Sequence, residues 1–205
     1  MKPPVSRNPA VVAARILDAA EAEFIRSGYA AANTNAITEA FEGSKATLFK
    51  YYPTKALLLE AVVKRISQDW RAAVAWRNIA DPTPQAWLEA FAVQVLEWIL
   101  SERVLFVGRL GVAEGRNLPE LQPVFKDLAV QPLNAVLAQK FESWKAQGRV
   151  QCDDPDRLAS HFMDLVVSGP VSRALYGMPR LHGADLHDHV EAAVRLFLTG
   201  VLPRR

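Results

Sequence analysis

FEGSKATLFKYYPTK, residues 41–55, is the stretch on which the reading of this chain turns. Lys45, Lys50 and Lys55 crowd against the rings of Phe49, Tyr51 and Tyr52, with Gly43 close to one end and Pro53 close to the other. Ser44 is a residue type that caps helix N-termini by accepting from the free N–H groups of the first turn. Proline lacks the N–H that would carry a helix further. The spacing therefore predicts one short helix, SKATLFKYY. On a helical projection Leu48 and Tyr52 share one side, with Ser44 and Tyr51 nearby, while Ala46, Thr47 and Lys50 fall opposite. The first side can anchor the helix on its neighbours. The second is small or long and basic, as close approach to base edges and phosphates requires.

The flanking sequence follows the same helical grammar. Asn8-Pro9 supplies a cap and a first-turn proline, and Ala13, Ile16, Ala20 and Phe24 recur at three- and four-residue steps before Gly28. Asn33 or Thr34 can cap a short helix through Phe41. Thr54 caps a long one carrying Leu58, Val62, Ile66 and Trp70 at four-residue spacing, expected over 54–79. Thr83-Pro84 then opens a helix to Leu100, and another runs from Ser101 to Glu114. EGRNLPEL is a polar break from which Pro119 restarts a helix that reaches Gly148, with a kink expected at Pro132. Asp154-Pro155 opens a helix to Tyr176, and a last one spans Asp185 to Thr199. No segment alternates as a strand would, so the expected fold is all-α with nine helices.

The bulk numbers set the class. The chain has 205 residues, half hydrophobic and 22% charged, as ordinary globular proteins do. No apolar run approaches the ~20 residues that span a bilayer. MKPPVSRNPA lacks the apolar segment of a secretory signal. A single cysteine, Cys152, forms no internal disulfide, which suits a reducing cytoplasm. Charge is uneven: residues 1–65 carry nine Lys/Arg against six Asp/Glu, while the rest carry 15 against 16. The excess points to a polyanion partner at the N-terminal end.

A short helix, a glycine-containing turn and a second short helix make a helix-turn-helix, whose second helix must protrude to enter a major groove. At this level Ile16–Val62, ILDAAEAEFIRSGYAAANTNAITEAFEGSKATLFKYYPTKALLLEAV, closely resembles the DNA-binding domain of TetR-family transcriptional repressors. Ile16, Leu17, Ala19, Ala20, Phe24, Gly28, Tyr29, Ile37, Ser44, Thr47, Leu48, Pro53 and Lys55 hold the family's positions. The resemblance implies a DNA-binding domain over 1–55 and an effector-binding and dimerisation domain over 56–205. It implies DNA contacts from Asn33, Thr34 and Asn35, from Lys45, Ala46, Thr47, Phe49, Lys50 and Tyr51, and from Lys55. Lys55 beside a helix N-terminus suits phosphate, because free N–H groups and the dipole already favour an anion there. Three departures stand out. FEG replaces the family's A-G-V turn, which delays the glycine by one position and brings Glu42 close to DNA. Phe49 replaces a tyrosine, and Tyr51 stands where histidine is common.

The remaining helices carry weaker signals. RLGVAEGRNLPEL (Arg109–Leu121) resembles the same region of the AefR-like subgroup. Family members bind small, often apolar effectors between central helices, so Trp70, Phe91, Trp98, Phe106, Arg109 and Phe125 are candidate effector contacts. Aromatics at helical spacing are more often plain core. Family members also dimerise through their last two helices, and the apolar stripes with Leu158, Phe162 and Leu165 on one helix and Val190, Val194 and Phe197 on the other are candidates for that interface. The alternative is burial of both stripes within one chain.

Enzyme signatures are missing. None of the four histidines (His161, His182, His187, His189) follows a glutamate at the spacing a di-metal bundle uses. There is no H-E-x-x-H, G-x-S-x-G, P-loop or dinucleotide fingerprint. No metal or cofactor is expected. The reading is a non-enzymatic homodimer that binds a palindromic double-stranded operator and is released by a small apolar or aromatic effector, with no membrane partner. The competing reading is a constitutive DNA-binding or helical partner-binding protein with no effector.

Overall fold

The computed structural model describes residues 8–73, 83–117, 122 and 131–201, and these are helical or loop, with no strand among them. Among the described residues nine helices follow one another: α1 (Pro9–Ala31), α2 (Thr34–Ala40), α3 (Lys45–Tyr51), α4 (Lys55–Ala73), α5 (Pro84–Ile99), α6 (Glu102–Glu114), α7 (Gln131–Ala146), α8 (Pro155–Leu175) and α9 (Gly183–Val201). The expected restart at Pro119 lies outside the described residues, as does the chain before Gln131 against which a kink at Pro132 would be judged.

The predicted caps form. Asn8, Asn33, Ser44, Thr83 and Asp154 each accept from a first-turn N–H through the side chain, and Thr54 Oγ1 accepts from Leu57 N–H at 3.1 Å. Ser101 makes no such bond. Gly28 interrupts α1 with φ 74° and ψ 168°, and a Cβ there would meet nothing within 4 Å. Conformation rather than space selects glycine at that break.

Two apolar clusters form the interior. The first gathers Ile16, Ala20 and Phe24 of α1, Ile37, Phe41 and Leu48 of the short helices and their turn, and Leu58, Leu59, Val62 and Ile66 of α4. It also takes in Phe106, Val107 and Leu110 of α6, so a helix from the second half of the chain completes the core under the first. Phe24 and Phe106 stack with centroids 6.5 Å apart. The second cluster joins α5, α7, α8 and α9 around Trp87, Phe91, Phe141, Trp144 and Phe162.

Charge repeats the link made by α6. Glu21 of α1, only 9% exposed, accepts from Arg65 of α4 at 2.6 Å and from both Nε and Nη2 of Arg103 on α6. Arg65 also donates to Asp18 at 2.6 Å, and Arg103 to Asp69 at 2.7 Å. The hydrogen bond to Glu21, outweighing partial burial, raises the pKa of Arg103 above its ordinary value.

Pro170 sits inside α8 and is buried. It has no N–H to give the carbonyl four residues back, which is that of Val166. His189 of α9 takes the vacancy, with Nε2–H donating to Val166 O at 2.8 Å. A proline break in one helix thus becomes a tie to the next. His189→Leu is expected to destabilise by about 1–3 kcal/mol, because it orphans that carbonyl. In a Pro170→Ala background, which returns the N–H, chemical denaturation should show that loss shrinking by about 1 kcal/mol. Strict additivity of the two substitutions would refute the coupling.

Candidate nucleic-acid interface

The candidate interface is built from α2, the turn at 41–44, α3 and the start of α4. Leu48 is 1% exposed and seats α3, while Tyr51 and Tyr52 are half-buried against the same cluster. Lys45, Ala46, Phe49 and Lys50 are exposed, and Thr47 is half-buried. Phe49 leaves 41% of its surface open on this face. Tyr51, expected on the DNA-facing side, therefore has part of its ring committed to the core. The Thr47 hydroxyl lies 2.9 Å from Ser44 Oγ, which also accepts from Thr47 N–H at 3.1 Å, so the cap restrains that side chain.

Asn33, Thr34 and Asn35 sit together at the start of α2. Asn33 Oδ1 accepts from Asn35 N–H at 2.8 Å. The Asn33 N–H donates at 3.0 Å to Glu23 of α1, which is 6% exposed and also accepts from Arg26 at 2.5 Å. These bonds, that from Asn33 foremost, hold the Glu23 carboxyl below the usual carboxylate range. Lys55 Nζ donates to Ala30 O at 3.1 Å and lies 5.1 Å from the Tyr29 ring centroid. Its ammonium is thus positioned by the segment that follows Gly28.

The FEG turn resolves the difficulty of Glu42. Glu42 adopts φ 55°, the left-handed conformation where glycine would be easiest. Its carboxylate turns back toward α1, with Oε2 3.4 Å from Arg15 Nη2, while the same Arg15 nitrogen donates to Phe41 O at 2.7 Å. Gly43 is needed one position later for a different reason. A Cβ there would lie 1.9 Å from the Phe41 ring, which crosses the turn to reach the core. The late glycine is a consequence of phenylalanine at 41.

Outside this face, the candidate effector residues separate. Phe91 is fully buried and stacks on Trp87 at 5.1 Å, and Trp98 packs half-buried on the same cluster. Phe106 and Arg109 line a cleft at the α1–α6 junction that Phe91 and Trp98 do not reach. The Trp70 side chain and Phe125 lie outside the described residues. Of the interface candidates, Phe162, Val190 and Val194 are buried within this chain, where they pack into the intrachain core. Leu158 and Phe197 are half-buried, Leu165 is 37% exposed, and Leu196 of the same helices is 65% exposed. Cys152 is no activated nucleophile, since burial pushes its thiol up. No helix among the described residues is long and apolar enough to cross a membrane.

Arg15, Glu21, Glu23, Arg65 and Arg103 are the residues that sequence reasoning missed. Their partners lie 10 to 82 positions away, except for the local Glu23–Arg26 pair. Spacing along one helix carries no trace of them.

An exposed basic helix, packed against a short capped helix through a turn that Arg15 braces, defines a helix-turn-helix DNA-binding protein of all-helical build. Comparison with known proteins agrees. The profile described as "Bacterial regulatory proteins, tetR family" matches residues 16–62. That of the "AefR-like transcriptional repressor, C-terminal domain" matches residues 86–200. The chain belongs to the TetR family and is a DNA-binding transcriptional regulator. A search of curated proteins gave no match. Among solved structures, a TetR-family protein from Mesorhizobium loti superposes with a TM-score of 0.83 at 23% identity, over 97% of this chain and 100% of that one. A TetR regulator from Agrobacterium tumefaciens does so at 0.76 and 23%, over 94% and 95%. The flavonoid-responsive regulator FrrA does so at 0.70 and 25%, over 96% and 100%.

Two outcomes follow from the turn and the Glu23 bridge. Glu42→Gly relieves a left-handed conformation costing about 1–2 kcal/mol and loses an exposed pair worth at most about 1 kcal/mol. Its melting temperature should equal or exceed that of the wild type, whereas β-branched Glu42→Val should melt lower. The reverse order would overturn this account of the turn. Glu23→Gln should destabilise most near neutral pH. A depressed carboxyl stabilises above its unfolded pKa, about 4.3, and that contribution disappears as pH falls through the folded value. The difference in stability between the two proteins should therefore be largest at about pH 7 and shrink as the pH is taken progressively below about 4.3, as denaturation curves across that range would show.

Proposed function

We propose that the protein is a homodimeric repressor that binds a palindromic operator through α2, α3 and the start of α4, and is released by a small apolar or aromatic effector. The observation that carries this reading is the double attachment of α6. Phe106, Val107 and Leu110 complete the core beneath the recognition helices, and Arg103 binds Glu21 of α1 and Asp69 of α4. A displacement of α6 by an effector is thereby transmitted to α1 and α4, which set the position of α3. Two copies related by a two-fold axis would present two recognition helices to two half-sites, and DNA and effector would oppose each other reciprocally. The exposed Leu165 and Leu196 on α8 and α9 are the residues we assign to the edge of the dimer contact. FrrA is described as flavonoid-responsive, which favours a planar aromatic effector for this chain too.

Within the recognition face, Lys50 and Lys55 are assigned to phosphates, Asn33, Thr34, Asn35, Lys45 and Tyr51 to the flanking backbone, and Ala46, Thr47 and Phe49 to the groove. Genomic selection and footprinting with the pure protein should recover a palindromic site. On that duplex Lys55→Ala should weaken binding across all operator sequences and reduce the salt slope by about 0.9 per protomer. Recovery of no palindrome would overturn the repressor reading. An unchanged slope would remove Lys55 from the phosphate contacts.

A further inference from the structure

The cleft at the α1–α6 junction is unlike the aromatic core of the body. One wall is Ile25 and the Ser27–Ala31 segment around the Gly28 break, the other is the α6 face carrying Phe106, Arg109, Leu110, Ala113 and Glu114, and the volume is about 390 Å³. That falls within the range of small-molecule sites, about 300–1,000 Å³. The rings of Tyr29, Phe24 and Phe106 form a tilted and stacked row beside it, with centroid separations of 6.1 and 6.5 Å. Such a wall favours a flat aromatic body. The polar groups at the rim include one cation. Arg109 lies 3.3 Å from Glu102, but that pair is about half exposed on both sides and Glu102 is shared with Arg180 at 3.4 Å. An exposed, shared pair contributes little, so Arg109 can turn to another anion at small cost. Glu114, the rim carboxylate, accepts from Asn117 at 3.1 Å.

The wall facing α6 also positions two candidate DNA contacts. Ala30 O holds the Lys55 ammonium, Tyr29 lies beneath it, and the same segment leads into Asn33. We propose that this junction cleft binds a planar aromatic monocarboxylate, with its ring system against Tyr29 and Phe106 and its carboxylate on Arg109. A ligand seated there separates the Gly28–Asn33 segment from α6 and moves Lys55 and the start of α2 together. The proposal deepens the effector response above by giving it a place and a ligand class, and it rests on that reading only for the consequence on DNA.

The test uses the full chain and 2-naphthoate, with neutral 2-naphthamide as control. Calorimetry should show one saturable site per chain for 2-naphthoate. Ala113→Trp, which fills the cleft from α6, should weaken that binding at least tenfold, with thermal melting confirming the fold. Ala31→Trp fills it from the opposite wall and decides the matter if the first variant does not fold. Arg109→Gln should cost roughly tenfold for the carboxylate, the worth of one charge-assisted hydrogen bond, and little for the amide. Absence of saturable binding, or equal binding by the filled variants, overturns the site. Equal loss of both ligands in Arg109→Gln overturns the assignment of the anion. On a selected operator duplex, 2-naphthoate should reduce the affinity of the wild type and not of Ala113→Trp. Ligand binding without that reduction overturns the coupling. A protein that binds no operator at all sinks the regulator reading, while calorimetry still decides the cleft.

Discussion

The structure depends on a carboxylate that three helices share. Glu21 is carried by α1 to a position almost closed to water, where an ionised group survives only with matched cations. Arg65 arrives from α4 and Arg103 from α6, and each guanidinium is held in turn by a second carboxylate, Asp18 or Asp69. Removing Glu21 would leave both guanidiniums without the carboxylate they share in a partly desolvated place, so this residue ties the three helices to one relative arrangement. Beside this knot the rings of Phe24 and Phe106 make the same connection with apolar surface. Directional charge and undirected burial therefore select one placement of α6.

From that junction the order extends to the recognition face. The break at Gly28 lets the chain turn out of α1, and the two ends of the following segment are fixed by different means. Lys55 reaches back to Ala30 O, and the Asn33 N–H reaches Glu23. The turn between α2 and α3 is held from α1 by Arg15 on the Phe41 carbonyl. Short helices of seven residues are marginal on their own. Here each has a side-chain cap and a buried anchor, Ile37 or Leu48, so their exposed residues are presented from a defined backbone.

The body uses a different device. Trp87, Phe91, Phe141, Trp144 and Phe162 fill its centre with rings, and Lys140 lies over both Trp87 and Trp144, near 5 Å from their centroids (5.1 and 5.3 Å). A proline inside α8 would ordinarily weaken such a bundle. The carbonyl it strands is answered from α9 by His189, so the irregularity registers one helix against the other.

What the sequence determined by itself was local: helix starts, their caps, the break at Gly28, the anchoring of α3 by Leu48, and the family resemblance borne by Ile16–Val62. These are legible because each rests on residues within about four positions of one another, the reach of a helical turn. Periodicity also showed which faces of α8 and α9 are apolar, but not what covers them. Phe162, Val190 and Val194 turned out to be covered by their own chain, a matter of how the helices assemble. Only the tertiary structure showed that α6 completes the core of the first half, that Glu42 folds back on Arg15, and that Phe106 and Arg109 belong to a junction cleft rather than to the centre of the body. Each depends on groups far apart in the chain meeting in space, and pairing over such separations leaves no mark on the spacing of residues along a single helix.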